Sequence, residues 1–213
     1  MPKIKIPHKS PHVDMTPMVD LFSLLLTFFM LTATMRPAEP AKVDVPFSIS
    51  EKKTPDANIM TVTIASDNRV FFNVDNGPDT ILHFRPKILE EMGKRYNIVF
   101  TPEELRYFEK NSAPFGVNIK DFKAYLAAKD SKERDRFQKG IPIDSTDNQM
   151  ALWVLFSREV NPSVNALIKG DGSVEYPLVK KVLDILQDKN VNRFSLITSL
   201  EKVEVVDTKD AKK

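Results

Sequence analysis

One carboxylic acid lies inside the most apolar stretch of the chain. Residues 19–35 read VDLFSLLLTFFMLTATM, and Asp20 is the only ionisable residue among them. A carboxylate at the centre of a bilayer costs about 2.5–3.5 kcal/mol on insertion scales, so one normally persists there because it has a function. A carboxyl group that takes up and releases a proton can carry protons across a membrane. Asp20 is therefore the first candidate for a functional residue.

The hydroxyl side chains of the same stretch favour one side of a helix. At about 100° per residue, Ser23, Thr27 and Thr34 lie within about 60° of Asp20 around the helix axis, whereas Thr32 lies outside this stripe. One interpretation is a proton path along the helix. The other is a helix packed in a bundle, whose hydroxyl groups bond to the carbonyl oxygens of their own helix.

The element that would position this polar stripe is a single transmembrane helix over residues 15–36. The apolar run alone rises about 25 Å, and the flanking residues make it long enough to span a bilayer. Lys3, Lys5 and Lys9 precede the run against one acid, Asp14, and no basic excess follows it. The positive-inside rule then predicts a cytoplasmic N-terminus and an exported C-terminal part. A cleaved signal peptide is the alternative, but the run is longer than a usual signal core.

The overall composition argues against several classes of function. The 213 residues carry a formal charge of +2 without a basic cluster interleaved with aromatic residues, so nucleic-acid binding is not expected. Cysteine is absent and the three histidines are scattered, which argues against a metal site. The exported part shows no nucleophile motif, catalytic carboxylate pair or phosphate-binding loop. We therefore expect a protein that is not an enzyme and that uses no cofactor other than protons.

The chain divides into segments of different character. We expect a proline-punctuated cytoplasmic arm over residues 1–14, the transmembrane helix, a periplasmic linker over residues 37–58, an α+β domain over residues 59–200 and a charged tail over residues 201–213. In the linker, residues 42–49 (KVDVPFSI) alternate like a short strand, which Pro46 confines to an edge or to pairing on one side. The candidate residues of this strand are Val43, Asp44, Val45 and Pro46.

The periodicity of the domain predicts a mixed sheet with helices on one face. A hairpin is predicted over residues 59–74, because two β-rich runs flank a Ser-Asp-Asn-Arg turn. Residues 79–161 have helical patterns, including a capping box that begins at Thr101. The C-terminal third is predicted as two strands joined by a Gly-Asp-Gly turn, with residues 174–176 as the second strand, then a helix over residues 177–188 and a last strand over residues 193–199.

Three parts of the sequence resemble the ExbD/TolR family, the proton-channel subunits of bacterial inner-membrane motors. Residues 16–21, TPMVDL, followed by a span rich in Leu and Phe, resemble the family's membrane segment. Residues 42–46, KVDVP, are similar to its short strand after the linker, and residues 167–198 are similar to its C-terminal unit. Residues 79–161 look like a helical insertion into the family's smaller domain, and their removal is expected to leave the flanking elements folded.

The resemblance implies a mechanism for the membrane segment. Two copies of the helix would sit inside a ring of five multispanning subunits of the ExbB/TolQ type. Asp20 would be protonated and deprotonated as protons flow inward, while Ser23, Thr27 and Thr34 would face the proton path. The exported self-dimer would transmit the movement to a TonB-like energy transducer. On the cytoplasmic side, four charged residues are expected to contact the multispanning partner: Lys3, Lys5, Lys9 and Asp14.

Two alternatives stay open at this point. A TolR-type subunit of the Tol-Pal envelope system, which binds peptidoglycan, shares the same mechanism. A membrane-anchored binding module without a proton role is a different class, in which Asp20 only pairs with a neighbour in a helical bundle.

Overall fold

The computed structural model describes residues 15–33, 39–48, 55, 57–76, 82–128, 130–144, 146–191 and 193–200. Two units are distinguished along the chain, Met1–Arg36 and Pro37–Lys213. The predicted arm over residues 1–14 and the predicted tail over residues 201–213 lie outside the described residues.

The first unit contains one helix, α1, over Thr16–Thr32. It starts with proline in the first turn, where the missing N–H leaves no helical hydrogen bond unmade, and it ends as the backbone of Ala33 becomes extended. Every residue from Met15 to Ala33 is exposed. Within the part of the chain that the structure describes, no helix combines the length and the apolar character required to cross a membrane.

The second unit is an α+β domain, which confirms the predicted class. Its described strands are β1 (Phe47–Ser48), β2 (Ile59–Ile64), β3 (Val70–Val74), β4 (Asn165–Gly170), β5 (Phe194–Leu196) and β6 (Ser199–Leu200). Its described α-helices are α2 (Phe84–Tyr96), α3 (Pro102–Lys110), α4 (Phe122–Ala127), α5 (Ser131–Phe137), α6 (Gln149–Val160) and α7 (Tyr176–Asp188), with a 3₁₀ turn at Ile119–Asp121.

The four central strands form a mixed sheet in the order β3-β2-β4-β5. The predicted hairpin is confirmed, with β2 antiparallel to β3 and with Asn68 in the left-handed conformation (φ 63°) at the turn. Strand β4 is parallel to both β2 and β5. The mixed sheet is therefore built from one hairpin and one strand-helix-strand crossover.

Local capping fixes the start of the helix at Pro102 and of the helix at Gln149. Thr101 and Glu104 form the predicted capping box: the Thr101 hydroxyl accepts from the Glu104 N–H at 3.3 Å, and the Glu104 carboxylate accepts from the Thr101 N–H at 2.7 Å. At the other helix, the Asn148 side chain accepts from the Ala151 N–H at 2.9 Å.

The prediction of a strand over residues 174–176 is wrong. The Asp171 carboxylate accepts from the Ser173 N–H at 3.0 Å, which makes a turn instead of an extended ladder. Helix α7 then begins at Tyr176 with Pro177 in its first turn. Strand β4 is consequently paired with β2 and β5, and a returning hairpin strand is not formed.

The linker strand is shorter than predicted. Within the predicted residues 42–49, strand pairing occurs at Phe47–Ser48, parallel to β6, and not at Val43–Pro46. Pro46 has no N–H to donate to a ladder, and the backbone groups of Asp44 bond elsewhere, as described below. The predicted alternation is retained in the burial, because Val43 and Val45 are half-buried whereas Asp44 and Pro46 are exposed.

The helices between β3 and β4 share one hydrophobic core with the sheet. From the sheet, Met60, Val62 and Ile168 enter this core; from the helices, Ile88 and Trp153 pack with them, and all five are at most 1% exposed. Burial of this apolar surface is the main stabilising contribution to such a domain. The expectation that residues 79–161 can be removed without loss of the flanking fold is therefore revised.

Candidate functional site

The polar stripe predicted on the first helix lies on α1. Asp20, Ser23 and Thr27 are at positions i, i+3 and i+7 of the helix, so they share one side of it, and all three are exposed. Thr34 lies outside the described residues. The four charged residues expected to contact a partner also lie outside them: Lys3, Lys5, Lys9 and Asp14.

The threonine hydroxyls of α1 bond to the helix that carries them. Thr27 Oγ1 donates to the Leu24 carbonyl at 2.9 Å, and Thr32 Oγ1 donates to the Phe28 carbonyl at 2.9 Å. A hydroxyl that donates its hydrogen retains lone pairs that accept another. Thr27 is thus held in place as an acceptor on the same side of the helix as Asp20, whereas Thr32 has the same local bond on a different side.

The remaining surface of α1 is apolar and exposed. Leu21, Phe22, Leu25 and Phe29 are between 48% and 61% exposed, and Leu31 is 87% exposed. Soluble monomers rarely present a contiguous apolar surface of this extent, because its hydration is unfavourable. The helix therefore presents a surface suited to lipid or to other helices, with one carboxylate and a line of hydroxyls on one side.

The linker residues predicted to be functional contact the turn after β4. The Asp44 N–H donates to Asp171 Oδ2 at 2.9 Å, and the Asp44 carbonyl accepts from the Gly172 N–H at 2.9 Å. Hydrogen bonds from the Ser173 side chain, the Ser173 backbone and the Asp44 backbone hold the pKa of Asp171 below its usual range. Asp171 is therefore ionised at neutral pH, and its carboxylate is the stronger form of acceptor.

A second contact attaches the start of the described linker to strand β4. Lys169 Nζ and Glu39 Oε2 form an ion pair at 2.7 Å; the Lys169 side chain is 20% exposed and the Glu39 side chain is 55% exposed. Neither Lys169 nor Asp171 was a candidate functional residue from the sequence, although Asp171 lies in the predicted Gly-Asp-Gly turn. A single sequence contains no signal for these contacts, because each joins residues more than a hundred positions apart.

Comparison with protein-family models matches residues 7–201 to the family described as Biopolymer transport protein ExbD/TolR. The chain belongs to the ExbD/TolR family, and the resemblance inferred from its motifs is confirmed. No curated protein and no solved structure matches it. Members of the family are inner-membrane-anchored accessory proteins that energise biopolymer transport with ExbB/TolQ-type partners, and they are not known enzymes.

Proposed function

We propose that this chain is the proton-carrying subunit of an inner-membrane motor that energises TonB-dependent outer-membrane transport. The observation that carries the proposal is Asp20, a lone carboxylate on an exposed apolar helix, aligned with Ser23 and Thr27. Family membership supplies the general role in transport.

The proposed topology is a single pass through the inner membrane over residues 15–36. The cytoplasmic arm would contact the multispanning ExbB/TolQ-type ring, and the domain that begins after the linker would lie in the periplasm. This orientation is supported by the excess of lysine before the apolar run. The membrane span itself is supported by the exposure of the apolar side chains of α1, which a lipid or protein environment would cover.

The proposed cycle transfers a proton through Asp20. The carboxylate takes up a proton from the periplasmic side, loses its charge, and releases the proton toward the cytoplasm after the helix has moved within the ring. Ser23 and Thr27, with Thr34 further along, orient the proton on its way to and from the carboxylate. One elementary charge that crosses 100 mV releases about 2.3 kcal/mol, so a few protons suffice for a mechanical step.

Work is delivered through the periplasmic part of the protein. A self-dimer of the domain would transmit the rotation or displacement of the helices to a TonB-like energy transducer. Residues 79–161 are proposed to be a helical insertion into the family fold, which enlarges the surface of the domain available to that transducer.

The test is energised uptake through a TonB-dependent transporter in cells that carry Asp20→Asn. Asparagine keeps the size and hydrogen-bonding capacity of the side chain, but its amide does not take up or release a proton near neutral pH. Uptake should therefore be lost while the multispanning subunit still co-purifies. Asp184→Asn, an exposed carboxylate on α7, is the control and should leave uptake unchanged. Intact uptake with Asp20→Asn would instead indicate an anchored binding module.

The proteins that co-purify with the chain distinguish a TonB-dependent role from a role in the Tol-Pal system. Co-purification of a TonB-like protein supports the proposed role. Co-purification of a TolA-like protein together with peptidoglycan would instead assign the chain to the Tol-Pal system.

A further inference from the structure

Residues 39–48, named here the strap, contact the rest of the domain at their start, middle and end. At its start, Glu39 is paired with Lys169 of β4. At its middle, the backbone of Asp44 is bonded to the turn at residues 171–172. At its end, Phe47–Ser48 is paired with β6. The strap therefore follows the domain over its whole described length.

The helices between β3 and β4 also contribute to the surface under the strap. Glu39 and Pro40 line an open pocket together with Ser131, Arg134 and Asp135 of α5. The strap thus forms one side of a pocket whose other walls belong to the rest of the domain. Displacement of the strap would widen the opening of this pocket.

All three attachments are weaker than the sheet that supports them. The ion pair of Glu39 is exposed, and exposed ion pairs contribute little because water and salt screen them. The pairing of β1 with β6 joins two residue pairs, whereas that of β2 with β4 joins six. Asp44 is itself exposed, so water competes for its hydrogen bonds. Local opening begins where backbone hydrogen bonds are few and solvated.

We propose that the strap is a releasable element that leaves the domain as one unit while the four-stranded sheet stays intact, and that Lys169 and Asp171 are the positioning residues that hold it. A released segment of ten residues extends to about 33–36 Å, which lengthens the tether after the membrane anchor. The claim that the motor uses this release in energy transfer rests on the proposed function. The claim that the strap can leave the domain does not.

Hydrogen exchange on the full chain in detergent micelles tests the release. In the wild type, the Gly172 N–H, which donates to the strap, should exchange faster than the Ile168 N–H in β4. Glu39→Gln should accelerate exchange at Gly172 by about twofold to fivefold without a change at Ile168, because the lost ion pair loosens the strap as a unit. Asp184→Asn is the matched control and should change neither amide.

A second variant separates the strap from the turn. Asp171→Ala removes the acceptor of the Asp44 N–H and should accelerate exchange at Gly172, while Ser173→Ala keeps that acceptor and should have a smaller effect. The proposal is overturned if Gly172 exchanges at the same rate as Ile168 in the wild type. It is also overturned if Glu39→Gln leaves Gly172 unchanged, since the contacts would then open independently.

A disulfide that locks the strap to the domain tests whether energised uptake requires the strap to be released. The chain contains no cysteine, so Phe47→Cys and Ser199→Cys, whose Cα atoms are register partners of β1 and β6, introduce the only two thiols. Non-reducing electrophoresis would select preparations in which the disulfide has formed within one chain and not between two copies. The oxidised pair should lose energised uptake, keep its multispanning partner, and recover on reduction. Full uptake with the lock closed would overturn this use. The exchange experiment would still decide the release even if Asp20→Asn disproved the motor.

Discussion

The guanidinium group of Arg85 lies over the ring of Phe108, with 4.3 Å between the guanidinium carbon and the ring centroid. Its Nε also donates to the Phe108 carbonyl at 3.1 Å. The same side chain donates to the Val74 carbonyl at the end of β3 and to the Asn111 carbonyl after α3. Burial lowers the pKa of Arg85 to about 10, so the group remains charged at neutral pH. One buried cation thus connects the hairpin with two helices.

We predict that Arg85→Met lowers the free energy of unfolding by about 2–4 kcal/mol. Methionine fills most of the volume but leaves the carbonyl groups of Val74, Phe108 and Asn111 without this donor, and buried unsatisfied groups are costly. Urea denaturation followed by circular dichroism measures the change. Arg95→Met, at an exposed position of the same helix, is the control and should stay within about 0.5 kcal/mol of the wild type. Equal denaturation midpoints for the two variants would contradict the prediction.

We predict that Tyr96 ionises far above the ordinary range of a tyrosine. Burial and a hydrogen bond to the Asp147 carboxylate raise the pKa of Tyr96 to about 12. Because the folded-state pKa is raised, the associated stabilisation is complete below about pH 10, the ordinary value, and is lost as the pH rises toward 12. Ultraviolet titration of tyrosinate should show a smaller late step in Tyr96→Phe than in the wild type, and not its complete loss, because burial also raises the pKa of Tyr125.

Two further variants make the tyrosine titration specific. Asp147→Asn removes the negative charge beside the phenol, so the late step should move toward ordinary tyrosine values. Tyr176→Phe, at a position that is 71% exposed, is the control and should leave the late step in place. A late step that survives Tyr96→Phe unchanged would mean that Tyr96 is not its source.

We predict different effects for two threonines of α1 that have the same local hydrogen bond. Thr27→Val and Thr32→Val each remove a hydroxyl that donates to a carbonyl of the preceding turn, three residues back for Thr27 and four for Thr32, so the effects on the helix should be comparable. Only Thr27 shares a side with Asp20. Thr27→Val should therefore slow energised uptake severalfold, whereas Thr32→Val should not. Equal rates for the two variants would remove Thr27 from the proton path.

We predict that deletion of residues 79–161 abolishes cooperative unfolding. The helices of this segment bury Met60, Val62 and Ile168 of the sheet, and their loss would expose those side chains to water. A short Gly-Ser turn would bridge the gap, and calorimetry of the purified chain would be compared with that of the intact protein. A sharp melting transition in the deleted chain would restore the view that the segment is an independent insertion.

Local signals predicted much of this fold. The hairpin at residues 59–74, the capping box at Thr101 and the helix after Pro177 depend on residues within a few positions of one another, and the structure has all three. The strand predicted at residues 174–176 failed for a local reason as well. The Asp171 side chain bonds to Ser173 and starts the turn into α7, which overrides the β propensity of the valine and tyrosine that follow.

Long-range contacts account for what sequence reasoning missed. Asp44 is bonded to Asp171 across 127 positions, and nothing near either residue indicates the other. Arg85 appears as an ordinary surface cation in the sequence, yet its side chain is fully buried among carbonyl groups of other elements. The alignment of Asp20 with Ser23 and Thr27 was predictable, since it depends only on helix periodicity. What surrounds that side of α1 is determined by other chains.

The most direct test of the proton-carrier assignment is proton flow through the assembled motor. The chain and its multispanning partner would be reconstituted into vesicles with an imposed membrane potential, and the entry of protons would be followed with an internal pH-sensitive dye. The account predicts proton entry with the wild type and none above the protein-free background with Asp20→Asn at equal assembly. Equal proton entry with the two proteins would contradict it and remove Asp20 from the path.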